Sequence, residues 1–251
     1  MKDLENKNVV VVGATSAIAQ ATSRKLAAKN ANMVLVGRNE KKLSIIASDL
    51  VVWGATIKDV IISDLGEIQS HNKIMQRCQS SLDNRIDMAL YAHGLLGDQL
   101  AAQQQYQSAE KIIRINYLSM VSLLTDMANF MEEQKQGTIV AISSVAGDRG
   151  RQSNYIYGSA KGALSIFLQG LRNRLNQSGV QVLTVKPGFV DTPMTADVEK
   201  GILFAKPEII ASGIIKAIEK NRNTIYLPWF WWGIMSIIKT IPEEIFKRLK
   251  L

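Results

Sequence analysis

The fold of this chain is decided by residues 9–19, VVVVGATSAIA. Four valines in a row are typical of a short β-strand that is buried on both faces of a sheet. Gly13 ends the strand, and apolar residues then recur at helical spacing from Ile18 to Lys29. The stretch therefore predicts a tight turn into a helix, whose free N–H groups and positive dipole end suit a phosphate. An ordinary strand-to-helix turn with an N-cap explains it equally well.

The alternation of strand and helix continues along the chain. Further strand candidates lie at 33–36, 60–62, 88–91, 138–142, 180–185 and 224–227, with helical patterns near 39–50, 67–80, 108–134, 154–177 and 207–221. Strict alternation predicts parallel strands joined by right-handed crossovers. We therefore expect an α/β fold, a Rossmann-like doubly wound parallel sheet of seven strands with helices on both faces. Ligands bind such sheets at the carboxyl ends of the strands, near the point where strand order reverses.

Length and composition limit the class of protein. The 251 residues contain no repeat or low-complexity linker, so we expect one domain at 1–228 and an extension at 229–251. A single cysteine, Cys78, excludes an intrachain disulfide and fits a reducing, cytoplasmic setting. The net charge of +8 suits an anionic partner, such as a phosphorylated cofactor, an acidic membrane or nucleic acid. Neither a signal peptide nor a full membrane span is expected.

The segment 157–161, Tyr-Gly-Ser-Ala-Lys, is the most informative motif. A tyrosine and a lysine four residues apart share one face of a helix, where the ammonium favours the phenolate and lowers the pKa of the phenol. Such a tyrosine can donate a proton to a carbonyl or take one from an alcohol. The pair alone is common on protein surfaces. It gains weight because residues 137–144 predict a strand that delivers a serine to the same edge of the sheet.

Taken with the glycine turn, these features resemble the short-chain dehydrogenase/reductase family over roughly residues 6–228. The catalytic serine of that family lies thirteen residues before the tyrosine, which identifies Ser144; Ser143 would face the other side of the strand. The resemblance implies that Ser144 orients a substrate carbonyl and that Tyr157 is the acid and base. It also implies that Lys161 lowers the Tyr157 pKa and binds the nicotinamide ribose, while Asn116, within the long helix, holds a water that links the lysine to solvent.

The resemblance also implies a nicotinamide dinucleotide as cofactor. The family's contacts correspond to Gly13, Thr15, Ser16, Ala17 and Ile18 for the pyrophosphate, Asp64 and Leu65 for the adenine, and Ala92, Gly94, Tyr157, Lys161, Pro187, Gly188, Val190 and Thr192 further along. Arg38, after the second strand, can pair with a 2′-phosphate, so NADP(H) is favoured over NAD(H). A solvated surface arginine, or a role for the nearby Glu40, is the alternative interpretation.

Two places depart from the family pattern. Ala17 and Ala19 stand where the family's Gly-x-x-x-Gly-x-Gly has its second and third glycines. Each alanine keeps its N–H, but the added methyl groups affect how closely the backbone approaches a pyrophosphate and how tightly the helix packs. Ala92-His93 replaces part of the usual Asn-Ala-Gly, and we expect His93 to be structural rather than a catalytic base.

The extension at 229–251 differs in character from the rest of the chain. It holds three of the four tryptophans, and the uncharged stretch 225–238 is followed by Lys239, Lys247, Arg248 and Lys250. This pattern is typical of a segment in the membrane interface; a helix pair that closes the substrate pocket or packs on a second subunit is the alternative. Residues 193–206 are expected to form an apolar substrate lid with Met194, Val198, Ile202, Leu203 and Phe204.

The sequence thus predicts an NADP(H)-dependent oxidoreductase that interconverts a ketone and a secondary alcohol without a metal. The extension resembles those of bacterial family members that act on hydrophobic or lipid-linked compounds. A homodimer or homotetramer is implied by the resemblance, and we expect a cytoplasmic protein in contact with the inner face of the membrane. The alternatives are a catalytically idle NADP-binding module and a peripheral membrane protein whose main role is anchoring. Only the charge favours a nucleic-acid binder, so no nucleic-acid partner is expected.

Overall fold

A seven-stranded parallel sheet forms the centre of the computed structural model, which describes residues 2–196 and 199–249. The strands are β1 Asn8–Val12, β2 Asn32–Gly37, β3 Thr56–Ile62, β4 Met88–Tyr91, β5 Gly137–Ile142, β6 Val180–Pro187 and β7 Thr224–Leu227. The helices are α1 Ala17–Ala27, α2 Glu40–Val52, α3 His71–Ser81, α4 Gln99–Gln104, α5 Tyr106–Ile113, α6 Ser119–Gln134, α7 Tyr155–Leu175, α8 Pro207–Glu219, α9 Phe230–Thr240 and α10 Glu243–Phe246. The predicted fold is confirmed.

Both faces of the sheet are covered by helices. Along β1, Val9 and Val11 pack into one apolar layer, while Val10 and Val12 pack into the layer on the opposite face. This is why the strand reads as a continuous valine run rather than as an alternating one. Helices α1, α2 and α8 cover the first face, and α3, α6 and α7 cover the second.

The strand order β3-β2-β1-β4-β5-β6-β7 reverses direction between β1 and β4. Gly13 follows β1 there with φ +80°, and a Cβ on it would lie 2.6 Å from the backbone nitrogen of His93, which follows β4. Glycine is thus required both by its conformation and by this close approach. The reversal brings the loops after β1 and β4 into contact, where a doubly wound sheet binds its ligand.

Two of the predicted elements differ from those observed, and helix α4 at Gln99–Gln104 was not predicted. The helix expected at 108–134 is divided into α5 and α6 by a π-helical turn at Arg114–Leu118. Strand β3 begins at Thr56, four residues before the predicted start. As an edge strand it carries polar residues, and Asp59 there accepts hydrogen bonds from Arg77, so the apolar pattern covers only its end.

The extension forms α9 and α10, which follow β7. Helix α9 lays its apolar side on the body of the protein, and Trp231 and Met235 are buried there. None of the helices in the described part of the chain has the length and apolar character that a membrane crossing requires. Lys250 lies outside the described residues.

Candidate active site

Strand β5 ends next to Ser144, and helix α7 presents Tyr157 beside it. The Ser144 hydroxyl oxygen accepts a hydrogen bond from the Ala146 N–H at 3.1 Å, which fixes the turn after the strand. Ser143 faces the other way, as expected: its Oγ lies 3.0 Å from the Lys161 carbonyl oxygen and 2.8 Å from Ser165 Oγ. Only Ser144 is therefore in place to share a substrate oxygen with Tyr157.

The protonation of Tyr157 follows from its burial. Burial raises the pKa of the Tyr157 phenol to about 12, although a hydrogen bond with Ser144 partly offsets that rise. The Lys161 nitrogen lies 5.8 Å from the centroid of the tyrosine ring. In the protein alone desolvation dominates the pKa of Tyr157, and the expected effect of Lys161 on that phenol stays a prediction. The phenol is protonated at neutral pH and is ready to donate.

Lys161 is itself buried, with 2% of its surface exposed. Its ammonium donates a hydrogen bond to the Ile142 carbonyl oxygen at 3.0 Å, the last residue of β5. Burial lowers the pKa of Lys161 to about 8. An ammonium held by a single carbonyl in an apolar setting retains donors for further partners, such as ribose hydroxyl groups.

Asn116 lies in the π-helical turn and is fully buried. Its amide nitrogen donates to the Leu95 carbonyl at 2.6 Å and the Ile112 carbonyl at 2.8 Å, and its oxygen accepts from the Leu95 N–H at 3.1 Å. A Cβ on Gly94 would lie 2.8 Å from that oxygen and 3.5 Å from the Lys161 ammonium. Asn116 thus holds the loop after β4 against Lys161, and π turns are frequent at functional sites.

His93 is buried behind this loop. Its Nε2 lies 3.0 Å from the Ser119 hydroxyl, and burial lowers its pKa to about 3. The imidazole is therefore neutral at physiological pH, and it has a structural setting, in agreement with the sequence interpretation. Nδ1 is buried and has no hydrogen-bond partner within the described residues.

The N-terminus of α1 is open for an anion. Ser16 occupies the N-cap position but makes no capping hydrogen bond with its side chain, and the first turn contains no acidic residue. Ala19 is fully buried in the apolar layer between α1 and the sheet, so its methyl group is accommodated. Thr15, Ser16 and Ala17 are half-buried, and Ile18 is buried. A helix start of this kind fits a pyrophosphate.

Arg38 and Asp64 follow two neighbouring strands, β2 and β3. Arg38 is exposed directly after Gly37. The Asp64 carboxylate accepts the Gly66 N–H at 2.8 Å, and the Leu65 carbonyl oxygen lies 3.1 Å from His71 Nε2. The residues predicted to hold the adenosine half of a dinucleotide therefore follow the carboxyl ends of two neighbouring strands.

The turn after β6 lies at the carboxyl end of a strand on the other side of β1 from β2 and β3. The Gly188 N–H donates to the Leu227 carbonyl at 3.0 Å, and Ala92 after β4 donates to Val12 at 2.9 Å. Val190 is buried and pairs with Ala205, while Thr192 starts a short 3₁₀ turn. The predicted nicotinamide contacts thus reach the carboxyl ends of strands β4 and β6.

Sequence reasoning missed a buried polar cluster behind this turn. The Lys186 ammonium and the Tyr226 hydroxyl donate to the two oxygens of Asp148, at 2.5 and 2.6 Å. The cluster ties the end of β6, strand β7 and the segment after Ser144 together. No motif in the sequence links these three residues. They come together because β5, β6 and β7 are neighbours in the sheet.

The extension forms a wall of the site. Trp231 is 3% exposed, and its indole packs so closely on Gly188 that a Cβ there would lie 1.9 Å from the ring nitrogen. Val145, next to Ser144, belongs to the same apolar cluster as Trp231 and Met235. Helix α9 therefore packs on the residues next to Ser144 and on the turn after β6, and the pocket-closing alternative for the extension stays a prediction.

Arg149 clamps the extension to the segment after Ser144. Its guanidinium donates to the carbonyl oxygens of Ile238 at 2.9 Å and Ile241 at 2.5 Å, at the C-terminus of α9. It also pairs with Glu243 and lies 3.8 Å from the centroid of the Phe246 ring. A cation at a helix C-terminus satisfies free carbonyls and favours the dipole. The sequence carries no signal for this contact.

Most of the apolar residues described in the expected lid at 193–206 are exposed rather than packed on the protein. Phe204 stacks on Phe189 with ring centroids 5.3 Å apart, whereas Ile202 is 99% exposed and Met194 and Leu203 are also exposed. Val198 lies outside the described residues. One aromatic residue therefore anchors the segment beside the Trp231 wall.

Comparisons with known proteins identify similar chains. A family model described as short chain dehydrogenase matches residues 7–202. An uncharacterised oxidoreductase of Mycobacterium tuberculosis is 33% identical over 249 residues, which is 99% of each chain. Another uncharacterised oxidoreductase, from Streptomyces coelicolor, is 32% identical over 97% of this chain and 96% of its own.

Solved structures share the fold at lower identity. A short-chain dehydrogenase from Sphingobium yanoikuyae in complex with NADPH has a TM-score of 0.80 and 21% identity, covering 94% of this chain and 97% of its own. A short chain dehydrogenase from Burkholderia cenocepacia in complex with NADP has a TM-score of 0.83 and 17% identity over the whole of both chains.

Proposed function

Because the chain belongs to the short chain dehydrogenase family of oxidoreductases, we propose that it interconverts a ketone and a secondary alcohol with NADP(H). The observation that carries the proposal is the meeting of Ser144, Tyr157 and Lys161 at the carboxyl edge of the sheet. A buried, protonated phenol beside a serine hydroxyl is a proton donor for a developing alkoxide.

The proposed chemistry assigns one task to each side chain. The bound dinucleotide supplies the hydride. The Ser144 hydroxyl donates a hydrogen bond to the substrate oxygen, and Tyr157 donates its proton to that oxygen. Lys161 binds the ribose hydroxyls and favours the phenolate as it forms, and Asn116 positions the Gly94 loop and anchors the water that returns a proton.

Support for a dinucleotide comes from three places. The N-terminus of α1 has neither a side-chain cap nor an acidic residue in its first turn. Gly94 leaves room beside the Lys161 ammonium that a side chain would fill. Arg38 stands exposed after β2, where a guanidinium pairs with a 2′-phosphate, and the solved relatives bound to NADPH and NADP fit the same preference.

The proposal is tested by following NADPH and NADH consumption against ketones of graded chain length. Tyr157→Phe should lower kcat by at least about 100-fold, since it removes the proton donor, while NADPH binding is retained. Tyr155→Phe is the matched control, because this exposed tyrosine lies on the same helix and should keep full activity. Equal activity of Tyr157→Phe and wild type would refute the proposed chemistry.

A catalytically idle NADP-binding module is the alternative, and the alanines of the phosphate loop favour it. In that case NADPH would bind with no turnover of any ketone, and Tyr157→Phe would change nothing. The hydrogen bond between Ser144 and Tyr157 supports the enzyme, because binding a dinucleotide does not require a serine hydroxyl beside that phenol.

We further propose that the substrate has a hydrophobic body. Trp231, Met235 and Phe189 form an apolar wall beside Ser144, which would exclude water from a reacting ketone. Ketones with longer alkyl chains should therefore show higher kcat/KM than short ones, and loss of that trend in Phe189→Ser, where the ring is only partly buried, would support the apolar wall.

The outer side of α9 supports the proposed membrane contact. Trp229 and Trp232 are 80% and 65% exposed, and basic residues follow on the chain. We propose a cytoplasmic protein that touches the inner face of the membrane through this side. Trp229→Ser with Trp232→Ser should abolish flotation with anionic vesicles and leave NADPH binding intact. Absence of flotation by the wild type would refute the contact and with it the anchoring alternative, and unchanged flotation of the double variant would show that the contact does not depend on these tryptophans.

A homodimer or homotetramer is proposed from the family resemblance. Ile166 on α7 and Leu118 at the π turn expose apolar surface, at 70% and 43%. Light scattering after size exclusion should give two or four times the mass of the chain, and Ile166→Lys should shift it towards the monomer.

A further inference from the structure

Arg151 is a part-buried arginine without a partner among the described residues. Three other described arginines are similarly half-buried, and each has acceptors: Arg24 pairs with Asp49, Arg149 with the end of α9, and Arg172 with the carbonyl of Val182. Arg151 has no ion pair or side-chain hydrogen bond in the described part of the chain, and its Nε is shielded from solvent without an acceptor. Because a guanidinium stays charged, this arrangement is costly without an anion.

Arg151 belongs to the segment that joins strand β5 to helix α7. It lies between Ser144 and Tyr157 in sequence, and its carbonyl accepts the Asn154 N–H at 3.1 Å in the turn that starts α7. Gly150, immediately before it, borders open space, since a Cβ there would meet nothing within 4 Å. The residues predicted for the cofactor phosphates follow β1 and β2, whereas Arg151 follows β5.

A second donor lies at the same helix start. The Gln99 side-chain oxygen accepts the Ile156 N–H at 3.2 Å, which fixes the amide of this α4 residue against the first turn of α7. Its Nε2 is buried and has no acceptor in the described part of the chain. The Asn154 side-chain oxygen is also buried, and no donor reaches it there. Asn154 occupies the N-cap position without capping the helix. Unsatisfied buried polar atoms indicate a missing partner.

We propose that Arg151 and Gln99 bind an oxyanion of the substrate, so that the enzyme acts on ketones that carry a carboxylate or a phosphate. The inference rests on the proposed function and deepens it. A guanidinium and an amide are the donors that such groups accept best, and the N-terminus of α7 adds a favourable dipole. The apolar wall and this anion site together fit a substrate with an acidic head and a hydrophobic body.

The catalytic test compares charged ketones with neutral analogues. The pairs are acetoacetate with methyl acetoacetate, and dihydroxyacetone phosphate with dihydroxyacetone, so that the carboxylate and phosphate arms are separate. In the wild type, kcat/KM should be higher for the charged member of at least one pair. Arg151→Gln should lower that value by about 10- to 100-fold and leave the neutral member within about threefold. Gln152→Ala, at the exposed neighbouring position, is the matched control.

A binding test does not depend on turnover. Inorganic phosphate should raise the Tm of the wild type and of Arg38→Gln more than that of Arg151→Gln, because the N-terminus of α1 remains as a second phosphate site in all three proteins. Arg151→Met should raise the Tm of the ligand-free protein, because it removes an Nε donor that is buried without an acceptor and keeps the apolar stem. A purely structural arginine would give the opposite shift.

The outcomes separate the two proposals. Equal use of charged and neutral ketones, unaffected by Arg151→Gln, would overturn the anion site and leave the oxidoreductase standing. A phosphate response that depends on Arg151, with no ketone turned over, would support the anion site and refute the proposed reaction. A lower Tm for Arg151→Met with an unchanged phosphate response would overturn the inference.

Discussion

His93 shows how a single residue can be kept neutral by its surroundings. The imidazole is buried beside Ser119, and burial lowers its pKa to about 3. The unfolded chain binds a proton on this residue near pH 6.5, whereas the folded chain does not. The stability that this difference contributes is fully present above pH 6.5 and is lost as the pH falls towards 3.

Replacing His93 by Gln should therefore make the protein less sensitive to acid. Between pH 7 and pH 5, the wild type should lose about 2 kcal/mol of unfolding free energy through this residue, and His93→Gln should not. Urea denaturation of both proteins at the two pH values gives the difference directly, and other titrating groups cancel in the comparison. If the two proteins differed in unfolding free energy by the same amount at pH 7 and pH 5, His93 would not titrate as its burial requires.

Lys161 should give the reduction reaction its upper pH limit. Its pKa is lowered to about 8 by burial, so the ammonium that favours the phenolate loses its proton above that pH. We expect kcat for ketone reduction to fall by up to about tenfold per pH unit above pH 8. A pH–rate profile between pH 6 and 10 measures this, and a flat profile would contradict the role given to Lys161.

Helix α9 depends on the absence of a side chain at Gly188. The Trp231 indole occupies the space that a Cβ would need, so Gly188→Ala should cost about 1–3 kcal/mol and displace the helix. Gly233→Ala, in open space on α9, should stabilise instead by about 0.5–1 kcal/mol.

A double-mutant cycle identifies the cause of that cost. Trp231→Ala alone should destabilise by about 3–5 kcal/mol, and the double variant should cost less than the sum, because the collision is removed. Chemical denaturation measures each value. Strict additivity would mean that Gly188 and Trp231 do not contact each other.

Elements with a strong apolar pattern could be predicted from the sequence, and those fixed by tertiary contacts could not. Strands β4 and β7 have the predicted bounds because their buried runs are short and continuous. The π turn at Asn116 was missed, since apolar spacing hardly changes across one widened turn. The inward direction of Trp231 was missed as well, because four neighbouring aromatic residues in the sequence do not say which one faces the core.

The candidate site also has features that the sequence predicts and features that only tertiary contacts determine. Ser144, Tyr157 and Lys161 follow from spacing on one strand and one helix, and the fold brings them together. The raised pKa of Tyr157 and the clamp of Arg149 depend on burial by segments distant in sequence, which no local pattern reports.

The whole molecule should respond to its coenzyme as one folding unit. At 100 times its Kd, NADPH should stabilise the fold by about 2.7 kcal/mol, which for a chain of this size raises Tm by about 5–10 °C. NADH at the same concentration should give a smaller rise. Arg38→Asp should reverse the order, because a carboxylate repels the 2′-phosphate and accepts ribose hydroxyls. Thermal melts with each coenzyme measure this, and identical rises in the wild type would refute the preference.

The grip of Arg149 on α9 has a consequence for building chimeras of this protein. The same short segment holds the proposed catalytic serine and the guanidinium that fastens the last helical turn of α9. Transplanting residues 229–251 onto another member of the family would thus fail unless the recipient offered an arginine at the equivalent spot. Conversely, a foreign tail accepted here must end its helix with bare carbonyl groups within reach of that arginine.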